Sequence, residues 1–205
     1  IGWGIIPGWW DKTAYDTYPM VNQAKPTLQF WPPSLGEHPF GQNTVGKDYF
    51  ALVMRGVQQS LFIAFTVGIL ATLIGTTIGA IAGYYRGITE AFLMRMTDLF
   101  IIIPTLILAA VLGRMTGGNI VMLALVLAIL SWTGLARLVR GEVLSLRERE
   151  FVMAARALGT PGPRIIVRHI LPNALGTIVV NATLLISAAI LTETALSFLG
   201  FGVKA

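Results

Sequence analysis

Three stretches of the chain carry no charged residue: Val57 to Tyr85, Met115 to Ala136 and Ile170 to Thr192. A helix crosses the hydrocarbon core of a bilayer with about 20 apolar residues, and each stretch reaches that length. In lipid the backbone must satisfy its own hydrogen bonds, so unbroken runs of this length are read as transmembrane helices. A fourth uncharged run, Leu99 to Gly113, is shorter. It reaches spanning length if its helix begins near Ala91 and carries Arg95 and Asp98 in its first turns. These two residues are three apart, which places them on one side of a helix and lets them pair where the membrane begins. The expected fold class is all-α, a polytopic transmembrane helical bundle. The expected spans are about 57–85, 91–113, 116–137 and 172–195, forming a membrane domain over 57–205.

Composition agrees with a bilayer rather than a water-soluble core: 55% of the 205 residues are hydrophobic and only 12% are charged. Cysteine is absent and there are two histidines, His38 and His169, so disulfides, thiolate metal sites and haem attachment through cysteine are excluded. A formal charge of +5 raises the question of nucleic acid. The arginines gather beside apolar spans, however, where topology explains them better, and no nucleic-acid partner is expected.

Four spans alternate their loops between two sides. Arg86 and Arg95 flank one loop, and Arg137, Arg140, Arg147, Arg149, Arg156, Arg164 and Arg168 crowd another on the same side, while the short loop opposite has only Arg114. Short arginine-rich loops stay in the cytoplasm. The loop at about 141–171 is therefore expected to be cytoplasmic. Residues 1–56 are expected outside, as an irregular loop and lead-in, with Trp9 and Trp10 suited to an interfacial aromatic belt. Gly75, Gly79 and Gly83 recur at every fourth residue, a ridge against which another helix can pack closely. Pro104 should bend the second span.

The cytoplasmic loop is the most informative segment. Residues Glu142 to Leu158 favour helix, with Leu144, Phe151, Ala154 or Ala155 and Leu158 recurring on one side. Gly159 stands where a left-handed C-terminal cap is wanted, and Pro161 and Pro163 stop that helix and start the next. Two short helices joined at a tight elbow are expected, with Arg164 and Arg168 on the second. An arginine-rich anchor at the headgroups would need no pair of adjacent small residues, no glycine elbow and no Leu-Pro at fixed spacing. An element seated in a groove of another protein, and moving with it, would.

The segment resembles the coupling motif of ABC importer membrane subunits: Glu-Ala-Ala, three residues, Gly, nine residues, an apolar residue, any residue, then Leu-Pro. Ala154, Ala155, Gly159, Leu171 and Pro172 match it, whereas Met153 stands where Glu is usual and His169 where the apolar residue is usual. The forms AARALG and RHILPN are similar to the oligopeptide, dipeptide and nickel branch, C-type subunit. HPFGQNTVGKDYFALVMRG, His38 to Gly56, resembles that branch's lead-in to its second span, with Lys47 where arginine is common. TETALSFLGFG, Thr192 to Gly202, resembles the outer end of its fifth span. On this alignment the sequence holds spans two to five of six.

The resemblance implies a pore subunit in a bacterial or archaeal plasma membrane. Its implied partners are a homologous second permease subunit, two cytoplasmic ATPase subunits and an extracytoplasmic substrate-binding protein, with a peptide as substrate. Met153, Ala154, Ala155, Arg156, Gly159, Leu171 and Pro172 would form the ATPase-coupling site. The chain has no Gly-x-x-x-x-Gly-Lys-Ser/Thr loop, so it is expected to be no enzyme and to bind no cofactor, with ATP and Mg held at the partner subunits. Arg95, Asp98 and Glu193 are candidates for a gate or for intramembrane polar contacts. Peptide is favoured over nickel because histidines and methionines do not cluster near a span. The rivals are an intramembrane enzyme, for which zinc, serine-elbow and paired-aspartate motifs are missing, and a channel or ion-coupled secondary transporter, which needs no docking elbow.

Overall fold

A computed structural model describes residues 10–30, 33–34, 36–115 and 117–201. Trp9, expected in an aromatic belt, lies outside them. By its contacts the chain divides after Leu61 into two compact units.

The first unit has little regular structure: a turn at Asn22–Ala24, a two-residue antiparallel pairing of β1 (Gln29–Phe30) with β2 (Pro33–Ser34), and the start of helix α1 (Tyr49–Tyr85). The irregular loop expected here is nonetheless built around a polar core. The Asp48 carboxylate is fully buried and accepts three hydrogen bonds, from Trp10 Nε1, His38 Nδ1 and the Ala51 amide, each at 3.0 Å. The last of these caps the first turn of α1. Buried Gln42 accepts from the Val21 amide at 2.9 Å and donates to the Pro19 carbonyl at 3.0 Å. Without periodic apolar positions, this segment is held by satisfied polar groups. Trp10 therefore spends its indole N–H on Asp48 rather than on a headgroup.

The second unit is helical: the rest of α1, then α2 (Gly87–Ile102), α3 (Thr105–Met115), α4 (Ile120–Ser131), α5 (Thr133–Arg147), α6 (Glu150–Ala157), α7 (Gly162–Ile165) and α8 (Leu171–Phe198). Among the described residues, Tyr49–Tyr85 and the helical run Gly162–Phe198 are each long and apolar enough to cross a membrane, and the bent pairs α2 with α3 and α4 with α5 meet the same test together. The run expected at 91–113 is thus two helices bent by 78°. Pro104 explains the break: the residue before proline is driven out of the α region, and Ile103 is extended at φ −75°, ψ 123°. The pair α4 and α5 bends by 40° beside Trp132, where Ser131 closes α4 and Gly134 lies in the first turn of α5. Between α1 and α2 the chain reverses through two left-handed residues, Arg86 and Gly87. Between α3 and α4 it does so through Gly117 and Gly118, and the Asn119 side chain then caps α4 by accepting from the Val121 and Met122 amides.

The glycine ridge of α1 packs on α5. A methyl group placed on Gly75, Gly79 or Gly83 would come within 2.8, 2.5 and 2.8 Å of the carbonyl oxygens of Trp132, Ala136 and Arg140. Every fourth residue of one helix therefore meets every fourth carbonyl of the other, and only hydrogen fits between them. One apolar cluster, with Val139, Val143, Val152, Ile165 and Ile170 at its centre, joins α5, α6, α7 and the start of α8. A second, with Ile63, Val67, Leu123, Leu127 and Leu196, joins α1, α4 and α8.

Candidate functional site

The basic loop folds as a compact elbow. The continuous helix expected over Glu142–Leu158 is interrupted: α5 ends at Arg147, the Arg149 amide turns back to the Leu146 carbonyl, and α6 starts at Glu150. Neither glycine nor proline marks this break. It rotates the two halves so that Val152 and Ala155, rather than Phe151 and Leu158, face the core.

Gly159, in the left-handed conformation at φ +76°, ends α6. The Thr160 amide donates to the Ala155 carbonyl and the Gly159 amide to the Arg156 carbonyl, the paired bonds of a Schellman cap. Pro161 is extended, and Pro163 sits in the first turn of α7, where its missing N–H costs nothing. The next turn, Ile166–Ile170, is π-helical, with the Leu171 amide bonding five residues back to Ile166. A proline ring collides with the carbonyl four residues before it in an α-helix, and the wider turn accommodates Pro172. The second helix of the elbow thus runs without interruption into α8.

The residues expected to form the coupling site divide by environment. Ala155 is 7% exposed and packs with Val152, Ile165 and Ile166, while Leu171 borders the same cluster half-buried. Met153, Ala154, Arg156, Gly159 and Pro172 are exposed. The outer surface of α6 mixes the charged Glu150 and Arg156 with uncovered apolar side chains: Phe151 is 40% and Met153 49% exposed, and Leu158, the C-cap, is 87% exposed. His169, at the departing position, is half-buried, and its carbonyl accepts from Asn173 Nδ2 at 2.7 Å.

Tyr84, overlooked in the sequence, ties this elbow to the C-terminal end of α1. Arg147 Nη1 donates to the Tyr84 carbonyl at 2.6 Å, the Arg156 guanidinium lies 5.7 Å from the centre of the Tyr84 ring, and Gly162 abuts the rings of Tyr84 and Tyr85. The signal available was the tyrosine pair closing an apolar run just before Arg86.

The polar candidates elsewhere do not gather at this elbow. Asp98 does not pair with Arg95; it pairs with Arg137 of α5. Arg95 shares the outward stripe of α2 with Ile88, Phe92, Leu99 and Ile102, whereas Asp98 turns toward α5. One level nearer the inner end, Arg140 binds Glu90 of α2 through Nε and Nη2. Glu193 is buried in α8 beside the second apolar cluster and accepts from Ser197 Oγ at 2.7 Å, a contact within its own helix.

Residues 75–204 match the family model described as binding-protein-dependent transport system inner membrane component. The chain is 41% identical over 198 residues to the oligopeptide transport system permease protein OppC of Mycobacterium tuberculosis, covering 94% of this chain and 68% of that protein. It is 36% identical to the protein of the same name from Bacillus subtilis, covering 93% and 60%, and 40% identical to a putative peptide permease protein of Brucella ovis, covering 96% and 63%. The matched region contains the elbow and both apolar clusters' share of α4 to α8. With the motif folded as a compact elbow on a multi-pass helical bundle, the chain belongs to the family of binding-protein-dependent transport system inner membrane components, the permease subunits of ABC importers.

Proposed function

We propose that the chain is a membrane-spanning pore subunit of an ATP-driven importer of di- and oligopeptides. It works beside a homologous second permease subunit in a bacterial or archaeal plasma membrane. An extracytoplasmic binding protein delivers the peptide, and two cytoplasmic ATPase subunits, holding ATP and Mg, drive the change of access. Residues 1–56 then lie outside and the elbow within 141–171 lies in the cytoplasm. The kinship to permeases whose names specify oligopeptides and peptides supports the substrate class.

The observation that carries the coupling role is the uncovered apolar surface of α6. Phe151, Met153 and Leu158 project from a short helix whose opposite face is locked into the bundle through Val152 and Ala155. A headgroup anchor needs only charge, which Glu150 and Arg156 supply here; the uncovered apolar side chains beside them are what a groove-binding helix presents. A push on α6 passes to α8 through the shared cluster and to α1 through Arg147, Arg156 and Tyr84.

The test is co-purification of the ATPase with the tagged full-length transporter, comparing the parent with Leu158→Asp and Met153→Asp. Both sites are on the outer surface, so the bundle should remain folded while ATPase recovery falls at least about tenfold, the effect of losing one anchor residue. Ala155→Asp is the contrasting variant, since a carboxylate in that buried position lacks a partner and should reduce the yield of folded protein itself. Full recovery of ATPase with both surface variants would remove the docking role from α6.

A further inference from the structure

The large residues left uncovered on most helices are apolar, as a lipid-facing or subunit-facing surface requires. On α4 they are Val121, Met122, Leu125 and Ile129. Helix α5 differs. Its uncovered face carries Gly134, Arg137, Gly141 and Ser145, and Leu138 is its one large apolar residue in the exposed class. Asp98 of α2 closes onto this face as the partner of Arg137. The two side chains retain 54% and 49% of their exposure, so each keeps hydrogen-bonding capacity that the pair does not use.

The level of this pair matters. Arg137 follows Ala136, whose carbonyl lies against Gly79 and whose amide lies against Gly75, within the uncharged run of α1. Arg147 marks the inner end of α1 and lies nearly three turns further along α5, about 15 Å. Facing hydrocarbon, a half-exposed ion pair would leave its unused donors and lone pairs unsatisfied, a cost that a wet surface removes. Facing a tightly packed protein surface would likewise require further polar partners. Glu90 with Arg140, and Arg86 beyond them, continue the charged row toward the inner end.

We infer that Asp98 and Arg137 border the transporter's water-filled path, entered from the cytoplasmic side, and present a carboxylate and a guanidinium to the polar backbone of the passing peptide. The assignment rests on the reading of the chain as an importer pore subunit. The face is wet because water, and intermittently the substrate, satisfies what the ion pair leaves over. Lipid contact belongs instead to the face of α4 around Ile129.

The chain has no cysteine, so each substitution introduces the one thiol of this subunit, and its labelling is read on this subunit. In the assembled transporter in inside-out vesicles, Asp98→Cys, Gly141→Cys and Ile129→Cys are treated with a membrane-impermeant, charged methanethiosulfonate. Gly141 has open space around it, so that variant tests the face even if loss of Asp98 disturbs folding. Asp98→Cys and Gly141→Cys should react at least tenfold faster than Ile129→Cys. If Gly141→Cys is as slow as Ile129→Cys, or becomes fast only once the second permease subunit is stripped away, the face is lipid-facing or an interface and the inference is overturned. The thiol rates are read without transport or an ATPase, so failure of the importer reading shows separately, as failure to recover the ATPase.

Discussion

Arg147, the last residue of α5, donates from its guanidinium to the carbonyl oxygen of Tyr84, in the last turn of α1. The last four carbonyls of a helix have no intrahelical partner, and a cation placed there meets both that need and the negative end of the helix dipole. The bond crosses between the helix that leads into α6 and the first long helix of the bundle. The C-terminal end of α1 is therefore fixed to the elbow by a charged contact, with the Arg156 and Tyr84 ring contact beside it.

Arg147→Gln should loosen this connection without touching the apolar surface of α6. A hydrogen bond to a charged group contributes about 1.5–3 kcal/mol, so the assembled transporter should melt a few degrees lower. ATPase subunits should still co-purify and hydrolyse ATP, but fewer peptides should enter per ATP. The check is the ratio of peptide uptake to phosphate release in proteoliposomes. A ratio equal to the parent's would mean that the push on α6 reaches the bundle by the shared apolar cluster alone.

Gly79 lies at the closest approach of the ridge: an added methyl group would sit 2.5 Å from the Ala136 carbonyl and 2.9 Å from Val139 Cβ. Backbone atoms cannot step aside as a flexible side chain can, so Gly79→Val forces α1 and α5 apart. Overpacking of this kind destabilises by about 1–3 kcal/mol, and more where the backbone itself blocks relaxation. Gly176→Val on α8, with nothing within 4 Å, is the control for the intrinsic effect of a β-branched residue. Thermal stability of the purified transporter should fall for the first variant and stay near the parent for the second. Equal losses would show that helix propensity, not close packing, sets the cost.

The contrast between these features explains what was legible in the sequence. The apolar runs and the glycine ridge act through local rules, charge exclusion over about 20 residues and a period of four, and both survive into the fold. The elbow was legible for the same reason, since Gly159, Pro161 and Pro163 each restrict the backbone where they stand. Pro104 marked a place but not an angle, and the 78° bend depends on how α3 then packs along α4. The break at Glu148 carries no breaker residue at all, and Gly134 beside Trp132 is too common a residue in apolar helices to announce a 40° bend. Asp98 was assigned to Arg95, three residues away, because sequence spacing exposes only partners on the same helix; its actual partner Arg137 is brought in by the packing of α2 against α5. The polar core of the first unit was hidden most completely, because buried hydrogen-bonded side chains at Trp10, His38, Gln42 and Asp48 leave no periodicity to read.

That core gives the sharpest single-residue test outside the membrane bundle. Asp48 satisfies three donors from three places in the chain, and its carboxylate is wholly enclosed. Asp48→Ala would strand the Trp10 indole N–H, the His38 ring nitrogen and the Ala51 amide, and each buried unsatisfied group costs about 1–3 kcal/mol. Asp48→Asn keeps an oxygen for Trp10 and Ala51 and turns its NH2 toward His38, whose ring accepts through Nδ1 in its other neutral tautomer. The alanine variant should therefore open the first unit, whereas the asparagine variant should leave it closed. Chymotrypsin acting on the detergent-solubilised transporter distinguishes them, since Tyr15 and Tyr18 lie in this unit: rapid cleavage there is expected for Asp48→Ala and parent-like resistance for Asp48→Asn. If Asp48→Ala resists as well as the parent, the ring cluster of Trp10, Phe40 and Phe50 holds the unit unaided. If Asp48→Asn opens as readily as Asp48→Ala, the negative charge itself is what the segment requires.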